Sequence, residues 1–172
     1  MKVLYVGPAV SGRSTSLASV QRMVRERPRD DRADGGGESI ADVDLNVLSM
    51  HRWLSRPPGR VIPAHEDDIA RLLGADAVLF VVDSQRERLD VSLELLDMLR
   101  ADCAARGRSL DDIPLVFQLN KRDLEPAQLA SEEEIAAVLS TPTCRYVSSI
   151  ATRDLGTREA VAAAVAAARV IR

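Results

Sequence analysis

Strand-like and helical segments alternate along this chain, and no other feature of the sequence limits the possible folds as strongly. Strands are predicted at Lys2–Val6, Asp42–Met50, Ala77–Val82, Leu115–Leu119 and Arg145–Ser148. Helices are predicted at Arg13–Arg27, Ala64–Leu73, Arg86–Arg106, Ser131–Leu139 and Thr157–Val170. The run from Val78 to Val82 is apolar throughout, which is typical of a strand covered on both faces. The alternation predicts an α/β fold: a doubly wound, mostly parallel sheet flanked by helices.

The composition favours one globular domain over residues 1–172. The chain is 46% hydrophobic and 28% charged with a net charge of −3, so it has no overall basic field that would attract nucleic acid. No apolar run is long enough to span a bilayer and the N-terminus carries no signal-peptide pattern, so we expect no integral membrane segment and a cytoplasmic location. Cys103 and Cys144 form no metal-binding pattern, and Cys103 is expected to be a buried thiol. The charged and glycine-rich segment 28–39 is predicted to be a flexible loop.

A glycine-bounded loop follows the first predicted strand. Its sequence is Gly7-Pro-Ala-Val-Ser-Gly-Arg-Ser-Thr15, which fits the pattern Gly-x-x-x-x-Gly-basic-Ser/Thr. Such loops wrap phosphate oxygens with backbone N–H groups, and the following helix adds its positive N-terminal end. The candidate nucleotide-binding residues of this loop are Gly7, Ser11, Gly12, Arg13, Ser14 and Thr15. Ser14 is also the candidate Mg²⁺ ligand, whereas Arg13 stands where a lysine is expected. The alternative is a strand-to-helix turn that binds no ligand.

A second motif, Asn120-Lys121-Arg122-Asp123, directly follows the apolar run Leu115–Leu119. The ionised Asp123 has two acceptor oxygens, which match the adjacent N1–H and N2–H₂ donors of guanine. Asn120 can brace the loop, and the stem of Lys121 can lie along the face of a base. Alone, the motif is equally well explained as a polar turn. Together with the phosphate loop it indicates a guanine-nucleotide site, and Asp123 argues against an ATP-using protein.

At these motifs the chain resembles the Ras-like small GTPases and, more narrowly, the bacterial MglA-like gliding-motility GTPases. The narrower resemblance lies in Gly74–Arg88 and in Asp112–Leu124, and the resemblance as a whole covers the first helix and most of the chain from Pro58 onward. It implies a GTP- or GDP-binding protein with Mg²⁺ at the carboxyl ends of the strands. It also implies a last guanine loop at Ser148-Ser149-Ile150, and partners such as a roadblock-fold, MglB-like regulator. A dedicated protein partner is the alternative.

The resemblance places the departures from the family in the two switch segments. Pro58-Gly59 look like the Pro-Gly of the second switch, so Arg60 stands where small GTPases carry the glutamine that positions the attacking water. Arg60 is therefore the candidate catalytic residue. Threonine is absent from Ser16 through Ser140, so the usual Mg²⁺-sensing threonine of the first switch is missing. The short interval before Pro58 predicts a shortened first-switch and second-strand region.

Three functions are compatible with these residues. The first is a guanine-nucleotide-binding regulatory or scaffolding switch with weak or absent intrinsic GTP hydrolysis. The second is an active GTPase in which an arginine stabilises charge in the transition state, as arginine fingers do. The third is a pseudo-GTPase that binds no nucleotide and acts only as an interaction protein, because Arg13 is bulkier than a lysine at the phosphate site.

Overall fold

Parallel strands form the centre of the fold, and helices cover both of their faces. The computed structural model describes residues 1–26, 40–48, 66–141 and 143–171. The strands in these ranges are β1 (Lys2–Val6), β2 (Asp44–Val47), β3 (Ala77–Asp83), β4 (Leu115–Asn120) and β5 (Arg145–Ser148). The α-helices in the same ranges are α1 (Arg13–Glu26), α2 (Glu66–Leu73), α3 (Leu89–Ala104), α4 (Glu132–Val138) and α5 (Thr157–Ile171).

The order of the strands confirms the predicted doubly wound sheet. The five described strands are ordered β2-β1-β3-β4-β5, and every neighbouring pair is parallel. The chain moves outward from β1 to β2 and then crosses to β3 on the other side of β1. In open α/β sheets, ligands bind at the carboxyl ends of the strands where the order reverses in this way. The fold therefore directs attention to the loops that follow β1, β3, β4 and β5.

Strand β2 is shorter than the predicted Asp42–Met50. It has four residues, because Ile40–Asp42 form a 3₁₀ turn in which the Val43 N–H donates to the Ile40 carbonyl (3.2 Å). Residues 49 and 50 lie outside the described part of the chain. Within the described ranges the sheet contains no antiparallel strand. The expected shortening of the second-strand region concerns residues that lie largely outside these ranges and stays a prediction.

The apolar run in β3 is buried on both sides, as its composition predicts. Val78, Phe80 and Val82 face a core formed with α2, α3 and α4. Leu79 and Val81 face a second core, formed with α1 and α5. Because side chains alternate across a strand, a strand between two helical layers needs apolar residues at every position.

Two helices begin later than their sequence pattern predicts, each for a local reason. Arg86–Arg88 form a 3₁₀ turn, and α3 begins only at Leu89. Ser131 precedes α4 as its N-cap: its hydroxyl accepts from the Glu134 N–H (3.2 Å), and its N–H donates to the Glu134 carboxylate (2.7 Å). This reciprocal pair satisfies two amides that a helix start otherwise leaves unpaired.

Outside the two motifs, the sequence supports predictions about Cys103, the segment 28–39, membrane spans and metal clusters. Cys103 lies on α3 and is buried in the core, as predicted. The predicted flexible loop at 28–39 lies outside the described residues. In the described ranges, no helix is long and apolar enough to cross a bilayer, and no cluster of His, Cys, Asp and Glu side chains there could hold a metal ion.

Candidate nucleotide-binding site

The loop between β1 and α1 uses its two glycines where other residues would collide with the sheet. Gly7 has φ +149° and Gly12 has φ +100°, a region that side chains rarely adopt. A Cβ at Gly7 would overlap the carbonyl oxygen of Val81 on β3, and a Cβ at Gly12 would overlap the side-chain amide of Asn120. The two glycines therefore allow the loop to pack closely against β3 and against the last residue of β4.

The start of α1 lies at the carboxyl edge of the sheet, and its first backbone amides are ones that a helix leaves without an intrahelical acceptor. The Ser16 N–H donates to the Gly12 carbonyl (2.8 Å) and closes the first helical turn. The N–H groups of the preceding residues in the turn have no acceptor within the helix. Ser14 and Thr15 are exposed there, and the first turn carries no acidic residue. This arrangement suits an anion, because the amides and the helix dipole both favour negative charge.

Arg13 makes a contact that the motif does not predict. Its Nη1 donates to the carbonyl oxygen of Leu48, just beyond β2 (2.9 Å). Burial lowers the pKa of the Arg13 guanidinium below its ordinary value. Among the described residues, no carboxylate pairs with Arg13. A partly buried cation without a counter-ion is a favourable place for an anionic ligand.

Asn120, the last residue of β4, connects the three loops of the site. Its Nδ2 donates to the Ser11 carbonyl in the phosphate loop (2.8 Å). Its Oδ1 accepts from the Ala151 N–H (3.0 Å) and from the Ser149 hydroxyl (3.2 Å), both after β5. Asn120 itself is buried. The side chain therefore links the phosphate loop to the segment after β5 by direct hydrogen bonds.

The side-chain amide of Gln118, which is also buried, connects β4 to α1 and to the segment after β5. Gln118 on β4 donates from Nε2 to the hydroxyls of Ser16 on α1 (2.8 Å) and Ser149 after β5 (2.9 Å). All three side chains are buried, where hydrogen bonds between polar groups specify a single arrangement. The sequence motifs do not mark Gln118. The usable signal is its position as a polar residue inside the otherwise apolar run Leu115–Leu119.

Lys121 is held by an acidic residue that lies outside both motifs. Its Nζ lies 2.7 Å from the Oδ2 of Asp83, at the end of β3. The other oxygen, Oδ1, accepts from the side chain (3.0 Å) and the backbone N–H (3.3 Å) of Gln85. Lys121 has φ +64°, so the loop turns sharply immediately after β4. Asp83 was not recognised as part of the site, although a charged residue ending an apolar strand beside the motif was a usable signal.

A cavity of about 270 Å³ lies between these loops at the carboxyl edge of the sheet. Its lining residues are Val10, Gly12, Thr15, Asn120, Lys121, Asp123, Leu124, Ala151 and Thr152. Asp123 is exposed, so its carboxylate is accessible to a ligand. Val10, Leu124 and Thr152 are lining residues that the motifs do not mark.

The remaining predicted residues divide into two groups. Of the guanine loop, Ser149 is buried and braces Asn120, whereas Ala151 and Thr152, rather than Ser148 and Ile150, line the cavity. Ser11 is also buried, and it contributes its backbone carbonyl to the contact with Asn120. The second group comprises Arg60 and the other switch residues, all of which lie outside the described part of the chain.

A larger cavity of about 450 Å³ lies at the opposite end of the sheet. It is lined by the first residues of β1 and β2 and by the end of α2, among them Lys2, Asp44 and Arg71. Size alone would favour this cavity. The smaller one is the better candidate because it lies at the carboxyl ends of the strands and contains both motifs.

The fold and the site together define a class of protein. A parallel sheet, a phosphate loop after β1 and an Asn-Lys-x-Asp loop after β4, joined by Asn120, are the arrangement of a P-loop protein of the small-GTPase type. No family model matches the chain. The chain is 31% identical over 144 residues to the mutual gliding-motility protein MglA of Myxococcus xanthus (strain DK1622), a match that covers 76% of this chain and 72% of that protein. The chain therefore belongs to the MglA-like family of Ras-like small GTPases.

Proposed function

We propose that this small GTPase binds GTP and GDP with Mg²⁺ and acts as a regulatory or scaffolding switch with weak or absent intrinsic hydrolysis. The observation that carries the proposal is the contact of Asn120 with Ser11 (2.8 Å), which joins the phosphate loop to the loop of Asp123. The two halves of a nucleotide site are thereby held together by a buried hydrogen bond. Because the relative is named for gliding motility, we extend the proposal to control of motility or cell polarity.

The residues of the two loops fit a guanine nucleotide. Phosphates would lie against the free amides at the start of α1, with Ser14 as a Mg²⁺ ligand. Mg²⁺ neutralises phosphate charge when it is bound. The exposed carboxylate of Asp123 can accept from both guanine donors, a match worth about 1–3 kcal/mol of discrimination between bases. The Lys121 stem, fixed by Asp83, forms one side of the cavity.

Weak hydrolysis is inferred from the sequence of the switches. Hydrolysis by this class requires a water positioned in line with the γ-phosphate. Arg60 occupies the place of the positioning glutamine, and threonine is absent from Ser16 through Ser140. A chain with these two departures retains the groups that bind nucleotide but lacks the groups that direct the water.

Titration of the nucleotide-free protein with fluorescent GDP and GTP in the presence of Mg²⁺, with ATP as competitor, tests the binding. We expect saturable guanine binding that ATP does not compete. Asp123→Asn should weaken it about tenfold or more, since the amide cannot accept from both guanine donors. Asp111→Asn is the matched control, because Asp111 is exposed and precedes β4 at the opposite end of that strand.

The same preparation separates the proposal from its alternatives. Absence of guanine binding at high micromolar concentration would identify a nucleotide-free interaction protein instead. Multiple-turnover phosphate release without a partner, at rates typical of active small GTPases, would contradict weak hydrolysis, and its loss in Arg60→Ala would support arginine-assisted catalysis.

A further inference from the structure

The backbone of Leu48 is held from two sides. Its N–H donates to the carbonyl of Tyr5 on β1 (2.9 Å), which extends the β1–β2 pairing by one residue. Its carbonyl accepts from Nη1 of Arg13, the first residue of α1 (2.9 Å). The Leu48 side chain is fully buried in the core. Arg13 thus ties the end of β2 to the start of the helix that follows the phosphate loop.

We propose that Arg13 is a positioning residue that bridges a bound phosphate and the Leu48 carbonyl, so that nucleotide binding secures the end of β2. This inference rests on the proposed nucleotide binding. A guanidinium carries five N–H donors in a planar fork, and in the described residues only Nη1 of Arg13 is engaged, by Leu48. The remaining donors can serve phosphate oxygens without releasing Leu48. A lysine at this position keeps the charge but lacks the fork.

The surroundings of Arg13 favour the bridge over a purely structural contact. A carbonyl oxygen offers the guanidinium no negative charge, and no carboxylate of the described residues offsets its partial burial. A phosphate would supply that negative charge. Its hydrogen bonds from the guanidinium would be short and strong, as hydrogen bonds between ionised groups are. An arginine here therefore connects two events that a lysine would leave separate: phosphate binding and the anchoring of β2.

Amide hydrogen exchange at Leu48 reports the anchoring directly. Without nucleotide, Arg13→Lys and Arg13→Gln should each exchange about tenfold faster at Leu48 than the wild type, the factor expected for one lost hydrogen bond to a charged group. Saturating GDP with Mg²⁺ should slow the exchange about tenfold in the wild type. In Arg13→Lys, GDP should leave it nearly unchanged, because the ammonium does not bridge. Arg22→Lys is the matched control, since Arg22 lies on α1 in an exposed ion pair with Asp154.

GDP binding is measured by titration on the same samples. This measurement distinguishes failure of the Arg13 bridge from failure of nucleotide binding itself. GDP that binds the wild type without slowing exchange at Leu48 would overturn the bridge and leave the proposed function intact. A full slowing in GDP-saturated Arg13→Lys, or equal exchange rates at Leu48 in all nucleotide-free variants, would overturn the bridge as well. A wild type that binds no GDP would overturn the bridge and the proposed function together.

Discussion

Replacing Gly12 with alanine tests the close packing on which the site depends. Gly12 has φ +100°, and an added Cβ would overlap the amide nitrogen of Asn120. The Asn120 Nδ2 donates to the Ser11 carbonyl (2.8 Å). Its Oδ1 accepts from the Ser149 hydroxyl (3.2 Å) and from the Ala151 N–H (3.0 Å). The added methyl group must therefore displace either the phosphate loop or the residue that connects all three loops.

The expected loss of stability is the sum of two terms. An alanine forced into this region of φ costs about 1–3 kcal/mol. Displacing Asn120 removes two or three buried hydrogen bonds, each worth about 0.5–1.5 kcal/mol net. The free energy of unfolding should fall by roughly 2–7.5 kcal/mol. At about 2–4 °C per kcal/mol for a chain of this size, the unfolding temperature should fall by roughly 4–30 °C.

Gly107→Ala is the matched control for this experiment. Gly107 also has positive φ (+68°), but an added Cβ there would meet no heavy atom of the described residues within 4 Å. Its cost is limited to the backbone term, about 1–2 kcal/mol. Thermal unfolding of both variants, followed by circular dichroism, should show the larger loss for Gly12→Ala, together with a loss of GDP binding that Gly107→Ala does not share. Equal unfolding temperatures in the two variants would show that the loop and Asn120 are not in contact.

Three further substitutions test single local features: an ion pair, a strained backbone position and a helix N-cap. Asp83→Asn keeps the side-chain shape but removes the partner of Lys121 (2.7 Å); urea titration should show a loss of about 1–3 kcal/mol, and an unchanged midpoint would contradict the pairing. Val10 has φ +65° and is 76% exposed, so it loses little burial on change to glycine; Val10→Gly should raise the free energy of unfolding by about 1 kcal/mol through relief of backbone strain, and a loss of stability would count against that strain. The Ser131 N–H, and then an arginine, hold the pKa of Glu134 below its ordinary value. Its stabilisation is complete above the unfolded pKa of about 4.3 and is lost as the pH falls through the lower folded value. Glu134→Gln and the wild type should therefore differ in unfolding temperature at pH 7, and the difference should shrink as the pH falls below about 4.3; a difference that does not shrink in acid would have another cause.

The fold could be predicted from the sequence because its strongest patterns are also its most buried elements. Strands β1, β3 and β4 agree with prediction to within a residue, since each lies between two helical layers and is apolar in consequence. The edge strand β2 was predicted too long. Its alternating pattern does not distinguish a strand from the 3₁₀ turn at Ile40–Asp42 that precedes it.

The residues of the candidate site could be predicted only where they lie together in one short sequence motif. The two motifs predicted Asn120 and Asp123 as neighbours of the phosphate loop. The partners of the two basic residues were not predicted: Leu48 is 35 positions from Arg13, and Asp83 is 38 positions from Lys121. Leu48 lies near Arg13 because β2 pairs with β1, and Asp83 lies near Lys121 because β3 pairs with β4. No local pattern contains that information.

The hydrogen bonds at the carboxyl edge of the sheet bear on the proposal that this chain binds nucleotide but hydrolyses it weakly. The hydrogen bonds of Asn120 and Gln118 fix the phosphate loop against the loops after β4 and β5 without any residue from 49–65. Under the proposed function, nucleotide binding would rest on this carboxyl edge of the sheet, whereas positioning of the attacking water would rest on the segment that carries Arg60. Under the proposed function, we expect a substitution at Arg60 to change hydrolysis and to leave nucleotide binding intact. Selection for a protein that senses nucleotide through its partners would preserve the network and leave the water-positioning residue free to change.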